Sequence, residues 1–111
     1  MRELIAAARG KCRKELVGSD GGGSEVDIPQ NATPRDTVLL DLGMADARRV
    51  AFNFEMPDGS TRRRVVQRSS RETPTGRFFM PLSGFGTEFP TQLRVEAPNA
   101  YTTSARFFLC N

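Results

Sequence analysis

The amino-acid sequence predicts a mainly β protein, either an antiparallel β-sandwich or a small open barrel of about six strands, with one N-terminal amphipathic helix docked on it. Three observations support this fold class. From Glu25 onward, apolar and polar residues alternate in short segments, as they do in half-buried strands. Turn signals separate these segments. No second amphipathic helix lies between them, which argues against parallel βαβ units.

The central predicted strand has the clearest alternation. Val50, Phe52 and Phe54 fall on one face, and Ala51 and Asn53 on the other. A proline-aspartate-glycine turn follows at 57–59, where glycine supplies the positive φ of a tight hairpin. The predicted strands are 36–43, 48–56, 61–68, 76–82, 91–97 and 101–110.

A glycine- and serine-rich run at 18–24 divides the chain and predicts a flexible linker. Both lysines and the whole net charge of +3 lie before this run, since the rest of the chain carries eleven basic and eleven acidic residues. We therefore interpret residues 1–17 as a peptide ligand fused to the all-β domain at 25–111 that binds it. The alternative is a natural protein with a glycine-rich loop.

Residues 1–17 are predicted to form a basic amphipathic helix, because they contain three consecutive alanines and no proline. Their apolar residues recur at helical spacing and form one stripe, which Arg9 flanks. A helix this short is marginal in water, so we expect it to lie on a surface. The predicted contact residues of the helix are Ile5, Ala8, Arg9, Cys12 and Leu16.

The last predicted strand is apolar on both faces, with Phe107 and Leu109 on one and Phe108 and Cys110 on the other. This pattern predicts that something covers its second face, and segment 76–82 has the same character. We expect the helix to dock here, unless both strands simply lie in the centre of the sandwich. The predicted contact residues on the β side are Phe78, Met80, Arg106, Phe108 and Cys110.

An arginine-rich hairpin gives the strongest charge signal. Residues 48–77 carry eight arginines and three acids, whereas residues 18–47 carry six acids and one arginine. The candidate anion-binding residues are Arg62, Arg64 and Arg68, and on a strand Arg62 and Arg64 share one face. The alternative, which the neutral total charge of residues 18–111 favours, is internal pairing between the acidic segment and the basic hairpin.

Histidine is absent, so the commonest general base and metal ligand is missing. Cys12 and Cys110 belong to no closely spaced cysteine pair, so no zinc site is predicted. The sequence favours two separate buried thiols over one disulfide. We therefore predict no catalytic residues, no metal site, no cofactor and no enzymatic activity.

These observations together predict a noncatalytic protein–protein interaction module whose partner is a helical peptide or a protein. The alternative function is binding of nucleic acid or another polyanion through the arginine-rich hairpin and the basic helix. No run approaches eighteen apolar residues, so no membrane span is predicted. The sequence indicates neither a compartment nor an oligomeric state.

Overall fold

A computed structural model of the chain describes residues 12–17, 25–42, 48–67, 76–96 and 105–111. These residues form strands and turns but no helix, so none of them belongs to a helix that spans a bilayer. The eight strands are β1 (Cys12–Leu16), β2 (Glu25–Asp27), β3 (Thr37–Asp41), β4 (Arg49–Glu55), β5 (Thr61–Gln67), β6 (Arg77–Pro81), β7 (Gln92–Glu96) and β8 (Arg106–Cys110).

The strands form two antiparallel sheets of four strands each. Sheet A has the order β1-β8-β3-β6, and sheet B has the order β2-β7-β4-β5. The first strand pairs with the eighth, the second with the seventh, the third with the sixth and the fourth with the fifth. The chain is thus one long hairpin, rolled so that successive pairs alternate between the sheets. This is the strand order of a jelly roll.

One hydrophobic cluster contains the inward-facing residues of both sheets. Sheet A contributes Phe78 and Phe107 to it, and sheet B contributes Phe52 and Phe54. These four rings are among the largest fully buried side chains, and burying each contributes roughly 1.5–3 kcal/mol. The prediction of a mainly β fold with antiparallel sheets is therefore confirmed.

All six predicted strands are present as β3 to β8, and the predicted positions 43, 68, 97 and 101–104 lie outside the described residues. The predicted hairpin turn joins β4 to β5, and Gly59 has a φ of 88° there, which a side chain would strain. The sequence analysis missed β1 and β2. β2 has only three residues, which is too short for an alternating pattern to emerge.

The predicted N-terminal helix is wrong where the structure describes this segment. Residues Cys12–Leu16 are β1, which pairs antiparallel with β8. Pairing with the mostly apolar strand β8 accompanies burial of Leu16 in the core, and such tertiary contacts outweigh a weak helical preference. Ile5, Ala8 and Arg9, like the predicted linker at 18–24, lie outside the described residues. The interpretation of residues 1–17 as a fused ligand stays a prediction.

The expectation of two separate thiols is also wrong, because Cys12 and Cys110 form a disulfide. Strand pairing places the two residues directly opposite each other at the end of β1 and β8. The bond closes a loop with a sequence separation of 98 residues.

Candidate functional site

The outward side of sheet A, which we call the disulfide face, carries a row of apolar side chains. Strand register aligns Phe108 with Leu39 and Leu39 with Phe79, across β8, β3 and β6. Glu15 of β1 extends the row, since it is paired with Phe108. The neighbours of Phe108, Leu39 and Phe79 along their strands belong to the core or pack against it, as does Leu16 beside Glu15. The row therefore lies on the side of the sheet that faces away from sheet B.

Two further rows flank this apolar row. On one side, the register aligns Cys12 and Cys110 with Thr37, so the disulfide borders the apolar row. On the other side, Asp41 of β3 lies between Arg106 of β8 and Arg77 of β6. The apolar residues thus lie between a covalent cross-link and a row of charged side chains.

The charged side chains of this face are held in place by each other. Arg106 donates two hydrogen bonds to Glu15, with Nε–Oε2 at 3.0 Å and Nη2–Oε1 at 3.1 Å. These bonds hold the pKa of the Glu15 carboxyl below its ordinary value. The guanidinium of Arg106 also lies 5.1 Å from the centre of the Phe108 ring. Arg77 pairs with Asp41 at 3.4 Å.

The centre of the disulfide face is a shallow depression. Leu39 is only 5% exposed, whereas Phe79 and Phe108 are half-buried. Aromatic and arginine side chains around an apolar centre are the composition found at the most strongly contributing positions of protein–protein interfaces. The depression has a volume of about 250 Å³ and is lined by Cys12, Leu39, Asp41, Arg77, Arg106 and Phe108.

An ion pair between the exposed Arg13 and the buried Asp36 attaches β1 to the rest of the molecule. The pairing of β1 with β8 shifts register between Cys12 and Lys14, which leaves Arg13 in a bulge. Its guanidinium donates to Asp36, with Nη1–Oδ1 at 2.6 Å and Nη2–Oδ2 at 3.2 Å. The backbone N–H of Thr33 donates to the same carboxylate at 2.8 Å. Sequence reasoning missed this pair, because nothing local distinguishes Asp36 from an exposed acid.

Asp36 is 1% exposed, and its environment contains opposing influences on its ionisation. Burial alone would raise its pKa, since the charged form loses its hydration. The hydrogen bonds from Arg13 and Thr33 outweigh burial, so the pKa of Asp36 lies below its ordinary value. The carboxylate is therefore charged at neutral pH and holds Arg13, and with it the edge of the disulfide face.

The outward side of sheet B is mainly polar, apart from Ala51 and the exposed Val65 near its edge. Asn53, in the middle of β4, is nearly buried and its Nδ2 donates to the backbone oxygen of Arg94 at 3.4 Å. Arg63 of β5 pairs with Glu96 of β7 across β4, with Nη1–Oε1 at 2.6 Å. The hydrogen bond from Arg63 lowers the pKa of Glu96. A row of hydrogen-bonded polar groups thus occupies the position that the apolar row has on sheet A.

The arginine-rich hairpin has its side chains distributed between the two faces of β5. Arg62 and Arg64 share a side, as predicted, and lie 5.9 and 5.5 Å from the ring centre of Phe85. Arg62 pairs with Glu88 at 3.0 Å. Arg68, the third predicted anion-binding residue, lies outside the described residues.

One ion pair joins the acidic segment 18–47 to residues 48–77, and it lies between Asp41 of β3 and Arg77 of β6 rather than in the hairpin of β4 and β5. The arginines of β5 instead pair with later acids, Glu88 and Glu96. The reason is topological: β5 is the outermost strand of sheet B, whereas β3 lies in sheet A. Charge counts along a sequence do not reveal which strands face each other.

Some of the predicted contact residues lie on the inward side of sheet A and others on its outward side. Phe78 and Met80 point inward, where Phe78 belongs to the core and Met80 packs against it. Leu16 of β1 is also a core residue. Three of the predicted β-side residues, Arg106, Phe108 and Cys110, lie on the disulfide face together with Cys12.

Leu39 and Phe79 also belong to this face, although the sequence analysis did not select them. The two-sided apolar character of 76–82 indicated Phe79 in general terms. Leu39 was hidden in a continuous apolar run, Val38 to Leu40, whose outward member cannot be distinguished without the strand pairing.

Comparisons with known proteins assign neither a family nor a function to the chain. No family model matches the chain, and neither the characterised proteins nor the solved structures compared with it give a significant match. A jelly-roll strand order by itself does not identify an activity, because the same architecture serves unrelated functions. The functional argument therefore rests on the geometry of the surfaces.

Proposed function

We propose that this protein is a noncatalytic protein-interaction module that binds a partner protein through the disulfide face. The observation that carries the proposal is the apolar row of Phe108, Leu39 and Phe79, placed in register on three strands and bordered by ion-paired arginines. Contact with another protein surface removes outward-facing apolar side chains from water, which is favourable in free energy.

The disulfide face is well suited to binding because its parts are already ordered. Phe108 and Leu39 belong to strands that have neighbours on both sides, and the disulfide fixes the end of β1 against β8. Side chains that are fixed before binding lose less conformational entropy when the partner arrives. Arg106, held by Glu15 and by the ring of Phe108, is fixed in the same way.

The size of the face favours a short partner segment. Four strands at about 4.8 Å spacing give a face roughly 15 Å wide. An α-helix with its side chains is about 10 Å across, so one amphipathic helix covers the apolar row. A contact surface roughly 15 Å by about 10 Å is well below the roughly 800 Å² per partner of a standard interface. We therefore expect a moderate affinity, about micromolar, for an isolated helical peptide.

Binding of nucleic acid is the less favoured function. Arg13, Arg62, Arg63 and Arg106 each pair with a carboxylate of the same chain. An arginine that is already paired must give up that partner before it neutralises a phosphate. Protein binding through an apolar row needs no such exchange.

The proposal is tested by selecting helical peptides from a randomised library on the immobilised, disulfide-bonded chain. The dissociation constants of enriched peptides are then measured by fluorescence anisotropy with the wild type and with Phe108→Ser. We expect at least roughly tenfold weaker binding to the variant, since Phe108 forms one end of the apolar row. The matched control is Phe89→Ser, because Phe89 is also half-buried but lies in the loop before β7.

The two variants separate a specific loss from a general one. Weaker binding to Phe108→Ser with unchanged binding to Phe89→Ser supports the proposal. The absence of any enriched peptide, or equal binding to the wild type and Phe108→Ser, contradicts it. Amide spectra of both variants establish that each retains the fold.

A further inference from the structure

The four edge strands of the two sheets are protected to very different degrees. An edge strand carries unpaired backbone groups that accept a further strand, and proteins block this with short strands, bulges, proline or charged side chains. β1 contains a bulge between Cys12 and Lys14, β2 has three residues and β6 ends with Pro81. β5 has seven residues and pairs with β4 without a register shift. Among the described edges, β5 is the one protected by charged side chains alone, without a bulge, a proline or a short length.

The free hydrogen-bonding groups of β5 can be assigned from the turn that precedes it. The N–H of Met56 donates to the C=O of Ser60 at 2.8 Å, so these two residues form a hydrogen-bonded pair. Hydrogen-bonded and non-hydrogen-bonded pairs alternate along antiparallel strands. Every second residue of β5 therefore directs its N–H and C=O away from β4. These residues are Thr61, Arg63, Val65 and Gln67, of which the C=O of Arg63 accepts a 3.4 Å hydrogen bond from the side chain of Arg64.

An apolar spot lies beside this edge on the outward side of sheet B. Val65 is 52% exposed, which makes it one of two exposed large hydrophobic residues among those described. It is paired with Ala51 of β4, and the guanidinium-bearing residues Arg49 and Arg63 lie next to this pair. Together they line a depression of about 130 Å³. The edge thus offers an apolar contact between two arginines, of which Arg63 is paired with Glu96.

The other side of β5 is also positive. Arg64 lies over the ring of Phe85 and donates to the backbone oxygen of Arg63 at 3.4 Å, which places it at the free edge. No described carboxylate pairs with Arg64, whereas Arg62 has Glu88 as its partner. β5 contains three arginines and no acidic residue. Arg62 and Arg63 are already paired with Glu88 and Glu96, so the charge available to a segment that adds to this edge is that of Arg64.

We propose that the free edge of β5 binds an extended acidic peptide, which adds to sheet B as a further antiparallel strand. Main-chain hydrogen bonds to the outward-directed groups hold the peptide, as in other cases of strand addition. Carboxylates of the peptide lie opposite residues 62–64, where Arg64 is the arginine without a described carboxylate partner, and β-branched apolar side chains lie opposite Val65 and Val66. This site is on a different sheet from the disulfide face, so the two proposals fail or succeed independently.

A second copy of the same chain is a poor occupant of this edge. An antiparallel pairing of β5 with itself that uses all seven residues is centred on Arg64 and places that arginine opposite its own copy. Like charges directly opposite each other destabilise a strand pair. The arginines thus discourage self-association while they attract a segment of opposite charge.

The experiment uses synthetic peptides and the full, disulfide-bonded chain labelled with ¹⁵N. The probe contains two valines followed by three glutamates, the antiparallel complement of residues 62–66. Three comparison probes are an analogue with alternate backbone amides methylated, an analogue with lysines in place of glutamates, and a single-stranded oligonucleotide. Amide shifts give the affinity, and hydrogen exchange of Arg63 and Val65 reports whether a strand has been added.

We expect saturable shifts along β5 and slower exchange at Arg63 and Val65 with the acidic peptide alone. Arg64→Ala should weaken binding roughly fivefold to tenfold, because a charge-assisted contact is lost. The matched control is Arg35→Ala, since Arg35 is exposed in the turn before β3 and far along the chain from β5. Its affinity should equal that of the wild type.

Three outcomes overturn the proposal. Absence of saturable shifts at about 1 mM peptide excludes a useful affinity. Equal binding of the methylated analogue means that the contact is purely electrostatic and that no strand is added. Tighter binding of the oligonucleotide than of the acidic peptide assigns this edge to polyanions.

Discussion

The two sheets build one core together but present opposite chemistry on their outward sides. Sheet A carries an apolar row, from Phe108 to Phe79, beside a disulfide. Sheet B carries a hydrogen-bonded polar row that includes Asn53 and the Arg63–Glu96 pair. Packing explains the inward residues of both sheets equally well, so they carry no information about function. Packing of the core does not explain why the outward sides differ. The functional proposals depend on this difference between the outward sides.

Two neighbouring phenylalanines of β8 allow the clearest comparison between a residue of the core and a residue of the proposed binding surface. Phe107 is fully buried in the core, so Phe107→Ala should lower the free energy of unfolding by about 3–5 kcal/mol. Phe108 is half-buried on the outward side, so Phe108→Ala should lower it by only about 1 kcal/mol. Urea denaturation of both variants measures the difference. Equal destabilisation would mean that the disulfide face is an extension of the core rather than a binding surface.

The disulfide should stabilise the whole fold, and its local effect on amide protection should be largest in sheet A. Replacement of Cys12 and Cys110 together by serine should lower the free energy of unfolding by about 2–4 kcal/mol, because the open chain regains conformational entropy. Denaturation of the double variant against the oxidised wild type measures this loss.

Hydrogen exchange of the same double variant tests where the effect lies. Amides of β1 should exchange faster, because β1 is an edge strand that the disulfide holds at one end. Amides of β4 and β7 should change only as much as global stability does. A selective loss of protection in sheet B would contradict the assignment of the bond to sheet A.

The Arg13–Asp36 pair should make stability depend on pH. The pKa of Asp36 is lower in the folded chain than its ordinary value, so the pair stabilises the fold above the unfolded pKa of about 3.9. This contribution is lost as the pH falls through the folded pKa. Asp36→Ala leaves the N–H of Thr33 and the Arg13 guanidinium without their acceptor and should lower the free energy of unfolding by about 2 kcal/mol at pH 7.

Denaturation of the wild type and Asp36→Ala from neutral pH to about pH 3 distinguishes this pair from the other carboxylates. The difference between the two proteins should be constant near neutrality and should shrink towards the acid end. A difference that grows on acidification would reverse the sign of the linkage and contradict the assignment.

The exposed ion pair on sheet B should give the smallest effect. Glu96→Gln removes the partner of Arg63, but both side chains are largely exposed and water replaces the lost interaction. The thermal midpoint should change very little, and the small change should diminish further with added salt. A loss as large as that of Asp36→Ala would show that the polar face of sheet B is an essential structural network.

Patterns local to each strand predicted much of the fold. Alternation placed Val50, Phe52 and Phe54 inward and divided β8 correctly into two sides. The first strand was not predicted, because the apolar spacing of this segment is compatible with a helix or a strand. Only the pairing with β8 decides between the two. That pairing joins segments 98 residues apart, which no local window contains.

The candidate site was predicted in part for the same reason. Phe108, Arg106 and Cys110 were selected because a strand apolar on both sides is visible in one segment. Leu39 and Phe79 join them only through the order of β8, β3 and β6 in sheet A. Residues that a single strand presents can be found in the sequence, whereas a surface built from several strands requires their order.

Cross-saturation tests the proposed division between the two faces most directly. A selected helical peptide, unlabelled, is bound to the deuterated chain, and the loss of amide signal after irradiation of the peptide maps the contact. We expect the strongest losses at Leu39, Phe79 and Phe108, on the outward side of sheet A. Losses confined to the outward residues of β4, β5 and β7 would contradict the assignment of partner binding to the disulfide face.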